Sequence, residues 1–278
     1  MKSIDRKIRE ALREDVGSGD ITSRKTVKRN ALALGVIFAK EKGILCGIGC
    51  VERVFEVCDQ DLHFERKLYD GGEVDYGTTV AVVKGNARSI LKGERVALNF
   101  LQQLSGIATL TRKFVEQVKD TGVVILDTRK THPGLRELEK YAVKTGGGEN
   151  HRMRLDKMIL IKDNHIAVAG GIDRAIKRLK DVSYEIEVKN LFELKQAVEL
   201  GATRVMLDNL PIGEIKKAVS IYKGKVEIEV SGGVTLDNVR DIAEAGVDYI
   251  SIGALTHSAR AIDFSLTLKP IERRKDEG

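Results

Sequence analysis

The chain has 278 residues, 42% hydrophobic and 32% charged, with a formal net charge of +6. That exceeds the roughly 100 to 200 residues of an average domain, so a barrel, or a barrel beside a smaller domain, is the expected scale. No run approaches the ~18 apolar residues of a membrane span, and the 47 basic residues are interspersed with 41 acidic ones, which argues against both a membrane and a nucleic-acid partner.

The N-terminus lacks the apolar core of a signal peptide, which places the protein in the cytoplasm, and Asp5 to Glu14 reads as an amphipathic helix broken by Gly17-Ser18-Gly19-Asp20. Short β-rich runs follow over Leu32 to Lys40, Leu62 to Tyr69 and Thr78 to Lys84, with Asp70-Gly71-Gly72 as a turn. Cys46, Cys50 and Cys58 are odd in number and lack CxxC spacing, so they read as buried thiols rather than a disulfide framework or zinc site. From Gly93 to about Lys119 apolar residues recur at helical spacing, giving a long helix with a break expected near Gly106.

From Val123 onward a strand-then-helix unit repeats, which calls for a parallel sheet covered by helices. The expected strands are Val123 to Leu126, Met158 to Ile161, Tyr184 to Val188, Arg204 to Leu207, Val226 to Val230 and Tyr249 to Ile252. Helices are expected over Leu135 to Lys144, Leu191 to Leu200, Ile212 to Tyr222 and Leu236 to Ala245. Six units fall short of the eight of a closed barrel, so an incomplete or open barrel fits better. The expected division is a small sheet domain over 1–115 and a barrel domain over 116–278, with the C-terminal tail free to pack back on the first domain.

Barrel enzymes place their chemistry on the loops after the C-terminal strand ends, which converge on one mouth. Here those positions hold Asp127-Thr128-Arg129-Lys130, Lys162-Asp163-Asn164-His165, Glu187, Asp208-Asn209, Ser231-Gly232-Gly233 and Gly253-Ala254. Arg129, Lys130, His132, His151, Arg152, Lys162 and His165 fall within 37 residues, a density that suits a polyanion. Arginine can grip a carboxylate through two parallel hydrogen bonds, and lysine offers a mobile charge for phosphate or a leaving group. The competing reading is a solvated basic surface balanced by Glu137, Glu139, Glu149, Asp156 and Asp163.

Glu187 and Asp208, at the ends of adjacent strands, form a plausible Mg²⁺ platform, since magnesium takes one or two carboxylates plus waters and substrate phosphates. A structural hydrogen-bonding role stays open for each, and Glu185 shares the face of Glu187, which complicates the choice. Ser231-Gly232-Gly233 and Gly253-Ala254 follow the last two strands, where barrels frequently bind phosphate through backbone N–H groups. Tight turning alone is the alternative. Together these pieces point to phosphoribosyl transfer onto an acidic co-substrate.

At this point the sequence resembles the quinolinate phosphoribosyltransferase family, the decarboxylating nicotinate-nucleotide pyrophosphorylases of NAD biosynthesis. The likeness runs over nearly the whole chain and rests on Glu14 to Thr22, Gly93-Glu94-Arg95-Val96-Ala97-Leu98-Asn99 and Leu104 to Thr109. Its most specific motifs are Asp127-Thr128-Arg129-Lys130-Thr131-His132-Pro133-Gly134-Leu135-Arg136, Gly146-Gly147-Gly148-Glu149-Asn150-His151-Arg152 and Leu160-Ile161-Lys162-Asp163-Asn164-His165.

The resemblance implies an N-terminal α/β sandwich domain plus an open, TIM-like α/β barrel, in a homodimer or higher oligomer whose active site is completed by Arg95 of the neighbouring subunit. It implies that Arg129, His151, Arg152 and Lys162 hold the two carboxylates of quinolinate, with Thr128 in the same loop and Lys130 and Lys162 near phosphoribosyl pyrophosphate (PRPP). Glu187 and Asp208 would face the ribose and Mg²⁺, and Ser231, Gly232, Gly233, Gly253 and Ala254 the 5′-phosphate. The catalytic set would be Lys130, Lys162, Glu187 and Asp208, acting by electrostatic positioning without a protein nucleophile. A molybdenum-transport paralogue and a non-catalytic phosphosugar-binding regulator are the alternatives. The intact Arg-Lys and Asn-His-Arg motifs speak against the first, and the metal acids retained beside the cations against the second. The apolar run into Asp127-Thr128 superficially resembles the motif of Rossmann-like phosphoribosyltransferases but lacks the second acid and the following Thr-Thr-Gly.

Overall fold

A computed structural model describes residues 2–179 and 182–272, with side chains from Ile4 onward. In chain order the first half forms α1 (Lys2–Val16), α2 (Ile21–Thr26), β1 (Leu32–Ala39), β2 (Gly43–Ile44), α3 (Ile48–Cys58), β3 (His63–Arg66), β4 (Glu73–Val74), β5 (Thr79–Asn86) and α4 (Ala87–Val118). It continues with β6 (Val124–Leu126), α5 (Arg136–Thr145), β7 (Ile159–Ile161), α6 (Asp163–Ala169), α7 (Ile172–Ile176), β8 (Tyr184–Val188) and α8 (Leu191–Glu199). The last elements are β9 (Arg204–Asp208), α9 (Ile212–Tyr222), β10 (Glu227–Ser231), α10 (Val239–Glu244), β11 (Tyr249–Ser251), α11 (Ala254–His257) and β12 (Phe264–Ile271).

Two compact units interleave along the chain, where the sequence indicates a single cut near residue 115. Residues 1–110, 137–146 and 259–278 form one, and 111–136 with 147–258 the other. In the first, β12-β1-β5-β3 make an antiparallel sheet and β2 pairs with β4. β1 alternates half-buried and buried residues, with Ala33, Ile37 and Ala39 in the core, as a strand with one covered face must. α5 belongs to this unit through Gln103 Nε2 donating to Glu139 Oε1 and Tyr141 Oη donating to Asp70 Oδ2.

Three expectations need correction here. α3 was not anticipated, because its β-branched residues blur the pattern, although Ile48, Val51, Val54 and Phe55 are buried at helical spacing. The run from Leu62 to Tyr69 yields only the four-residue β3. α4 is also unbroken at Gly106: a Cβ there would lie 2.2 Å from the Arg260 carbonyl oxygen, so the glycine serves close backbone approach and not a helix end.

The second unit carries a six-stranded parallel sheet in the order β6-β11-β10-β9-β8-β7. Read from β7, the order is sequential up to β11 and then reaches β6, the sequence of a barrel cut open between β6 and β7. At that cut Glu149 bridges to Leu126, accepting from Asp127 N and donating to Ile125 O, which ties the segment before His151 to the free edge of β6. The strand ends fall within a residue of those read from the sequence. One set of alternate residues, among them Ile186, Val188, Val205, Leu207, Ile228, Val230 and Ile250, is aliphatic and buried, and α8 packs on β8. Register places Glu185, Glu187, Arg204, Met206, Asp208, Glu229, Ser231, Tyr249 and Ser251 together on the opposite, inner face. Among the described residues no helix is long and apolar enough to cross a membrane.

Candidate active site

A cavity of about 640 Å³ opens at the C-terminal ends of these strands, lined on one side by Thr128, Arg129, Lys130, His151, Arg152 and Lys162. Glu187, Asp208, Ser231, Gly232 and Gly233 line the other side. Eleven of the fourteen residues singled out in the sequence therefore meet in one place. Gly253 and Ala254 are not in the lining. Gly253 packs beside it, a Cβ there standing 2.9 Å from Lys130 Cδ, and Ala254 begins α11. Arg95 is an exposed residue of α4 in the other unit and is absent from the lining.

The loop after β6 is held by its own short polar residues. Thr128 Oγ1 accepts from Lys130 N at 3.0 Å, Thr256 Oγ1 donates to Lys130 O at 2.7 Å, and Arg136 braces the loop by donating to Thr131 Oγ1 and Arg129 O. Asp127, fully buried, accepts the backbone N–H of His151 and so fixes the start of the second cationic segment against the first.

The electrostatics of this side are those of an anion site. Among the described residues the buried Nε of Arg129 has no hydrogen-bond partner. Arg152 donates from Nη1 to Met158 O, and its guanidinium is held below its ordinary pKa by burial first and by the neighbouring Arg129 charge second. Two like charges crowded into one wall raise the energy of the empty site, and an anion bridging them removes that penalty.

His151 and His165 each use a ring nitrogen within the protein. Nδ1 of His165 accepts the backbone N–H of Lys162 at the start of α6, a capping contact, and Nδ1 of His151 accepts the backbone N–H of Arg152 at 2.7 Å. In each ring Nδ1 is therefore engaged as an acceptor by a backbone N–H.

On the acidic wall, Lys162 Nζ pairs with Glu187, while among the described residues the Asp208 carboxylate has no hydrogen-bond or ion-pair partner. Register sets Glu187 beside Met206, so Asp208 lies one step further along the same face. Between them and the glycine loop sits Asn209, left-handed at φ 55°, whose backbone N–H donates to Ser231 O. Gly232, at φ 88°, holds a left-handed conformation that strains other residues, and a Cβ there would also meet the Asn209 side chain at 2.3 Å and have to displace it. The helices after these loops, α10 and α11, have six and four residues, too short for a substantial dipole, which leaves the loop amides as the anion-binding element.

Sequence reading missed Leu160, Met206 and Ser251 in the lining and the half-buried Arg204 and buried Glu229 beneath it. Period-two counting back from Asp208 and Ser231 reaches Arg204 and Glu229, so extending the inner face along each strand would have found them.

An open parallel barrel whose mouth sets paired guanidiniums against acids and a glycine loop defines an enzyme of small, multiply charged substrates. The chain matches the quinolinate phosphoribosyl transferase N-terminal domain over residues 20–105 and the C-terminal domain of the same family over 107–267. It is 45% identical to a probable nicotinate-nucleotide pyrophosphorylase [carboxylating] of Methanocaldococcus jannaschii, across 94% of this chain and 95% of that one. It is 40% identical to the corresponding Bacillus subtilis protein, across 91% and 89%. The solved nicotinate-nucleotide pyrophosphorylase of Francisella tularensis superposes with a TM-score of 0.92 at 42% identity, covering 96% of both chains. The chain belongs to the quinolinate phosphoribosyltransferase family.

Proposed function

We propose that the cavity at the strand ends is where this decarboxylating phosphoribosyltransferase joins quinolinate to the ribose of PRPP, giving nicotinate mononucleotide, pyrophosphate and CO₂ in NAD biosynthesis. The observation that carries the placement is the pair Arg129 and Arg152, two mutually repelling guanidiniums in one wall, one with an unpartnered buried Nε. A dicarboxylate on adjacent ring carbons is the substrate group that matches two such forks. Lys162, at the rim of both walls, can reach the second carboxylate or the departing pyrophosphate, and Lys130 the pyrophosphate. The amides of Gly232 and Gly233, with Ser231, cradle the 5′-phosphate.

The residues fit a magnesium ion. Glu187 and Asp208 present hard oxygen donors on one face of adjacent strands, and among the described residues Asp208 has no hydrogen bond or ion pair to give up. When bound there, the ion would neutralise charge on the leaving pyrophosphate. Glu187 would then exchange its pairing with Lys162, freeing that ammonium for substrate. The protein's own contribution is placement: the guanidiniums hold the pyridine nitrogen toward the ribose carbon, and the lysines stabilise negative charge as the leaving group departs. Once ribosylated, the ring nitrogen is cationic and stabilises the carbanion left by CO₂ loss, which then takes up a proton from solvent to give nicotinate mononucleotide.

Arg95, exposed and outside this lining, reads as a residue that a second copy of the chain inserts into the cavity, in a homodimer with shared sites. Purified protein incubated with quinolinate, PRPP and Mg²⁺ should release CO₂ and nicotinate mononucleotide. Equal turnover of nicotinate would contradict the paired-carboxylate reading. Arg95→Ala and Arg129→Ala proteins, each inactive alone, should recover activity when mixed under subunit exchange. No recovery counts against the shared site.

A further inference from the structure

Beneath the cavity floor the inner face of the barrel is charged and sealed from solvent. Glu185 and Glu229 are 1% and 0% exposed. Arg204 pairs with Glu229 through Nη2, faces Glu185 Oε1 with its Nε at 3.7 Å, and lies 3.8 Å over the Tyr249 ring. Above them, His151 Nε2 stands 3.0 Å from Glu185 Oε2 and 3.7 Å from Glu229 Oε1.

The tautomer follows from the two contacts of the ring. Because Nδ1 accepts the Arg152 N–H, the ring's single proton must be at Nε2, where it is donated to Glu185. An Nε2 that carries a proton has no lone pair. Although His151, Glu185 and Glu229 bring ligand atoms within 4.8 Å of one another, the cluster in this form is therefore a proton-sharing network and not a metal site. Both ring nitrogens of His151 are thus engaged within the protein in this structure.

We propose that Glu185 is a positioning residue for carboxylate recognition: it holds His151 as the Nε2-protonated neutral tautomer, which keeps Nδ1 as the acceptor for the Arg152 backbone and so sets the Arg152 guanidinium beside Arg129. The load passes from Tyr249 and Arg204 through Glu185 and His151 to Arg152, all within the barrel unit. Without the acceptor at Nε2 the ring can turn over or protonate. A hydrogen at Nδ1 would then oppose the Arg152 N–H, and the peptide carrying the guanidinium would shift. The proposal rests on the reading of this wall as the quinolinate site.

Two measurements test it. In protein labelled with ¹⁵N-histidine, His151, assigned by its loss in His151→Gln, should show a protonated, pyrrole-type Nε2 and a pyridine-type Nδ1. The opposite tautomer, or two protonated nitrogens, overturns the proposal whether or not the protein turns over quinolinate, so it fails separately from the functional reading. Kinetically, Glu185→Leu should raise the KM for quinolinate roughly tenfold or more while leaving the KM for PRPP near its starting value, as expected when one buried hydrogen bond that orients a binding group is lost. Glu185→Gln, whose amide oxygen can still accept from Nε2, should stay close to the unsubstituted enzyme. Equal rises in both KM values, or glutamine no better than leucine, overturns the positioning role. If the leucine protein does not fold, the tautomer measurement and the glutamine variant decide the question.

Discussion

Replacing Gly106 by alanine sets two effects of known size against each other. In a free helix the change gains about 0.5–1 kcal/mol, because alanine loses less backbone entropy and covers the backbone better. In α4 the new Cβ would stand 2.2 Å from Arg260 O, 2.9 Å from Arg260 C and 3.0 Å from Ala261 Cα. Relaxed contact between such atoms needs roughly 3.5 Å, so the segment at 260–261 has to retreat by about 1.3 Å. The obstacle is backbone, and it is tied down: Ile262 N donates to Gln102 O at 3.1 Å, and β12 continues directly into its ladder with β1. Overpacking of this kind costs about 1–3 kcal/mol, and loss of the Ile262 hydrogen bond adds about 1 kcal/mol. The clash therefore outweighs the helix gain, and Gly106→Ala should lose about 1–3 kcal/mol of stability, read as a lower urea midpoint by circular dichroism at unchanged slope. Gly213→Ala in α9, where a Cβ meets nothing within 4 Å, is the control and should hold or raise its midpoint. A Gly106→Ala protein as stable as the original would refute the close-approach explanation and restore propensity as the deciding term.

Arg129→Lys should raise the KM for quinolinate about 10- to 100-fold in steady-state assays, since a point charge cannot reproduce a two-pronged, charge-assisted grip worth about 1.5–3 kcal/mol; an unchanged KM would remove Arg129 from the carboxylate site. Burial pushes the Cys50 thiol up to about 11 and raises Cys46 and Cys58 as well. All three should therefore react slowly with a thiol-exchange reagent at pH 8 in the native protein and fully in guanidinium, and rapid native reaction of Cys46 or Cys50 would count against their burial. Asp20 caps α2 by accepting Ser23 N at 2.8 Å, and its hydrogen bonds to Ser23 hold its carboxyl below the usual range. Asp20→Ala should cost about 1 kcal/mol at neutral pH. A carboxyl with a depressed folded pKa stabilises above its unfolded value of about 3.9 and loses that contribution as pH falls through the folded value, so the two proteins' stabilities should converge in acid. A gap independent of pH would show that the cap acts without its charge.

The strands of the barrel unit were legible because each is a short β-branched run closed by a polar residue, and that same punctuation exposed Arg129, Lys162, Glu187, Asp208 and Ser231 as the contents of one mouth. α3 was not legible. Its valines and isoleucine carry strand propensity, and only packing in the first unit's core made them a helix. Gly106 reads as a breaker in any sequence, since its partner at Arg260 is 154 residues away and no local signal announces the approach.

Which residue types meet the substrate is written in the sequence through its motifs, because strand ends of a parallel barrel converge whatever fills the barrel. What the alternate residues beneath them do is not. Glu-Ile-Glu-Val at 185–188 and again at 227–230 has the period of a strand with one face in water. Curling the sheet turned that polar face inward, where Glu185 and Glu229 are sealed with Arg204 and His151. A two-residue period specifies that two faces differ. Only closure of the tertiary structure decides which one keeps its water, and with it whether a histidine is free to bind a substrate or is already bound to the protein.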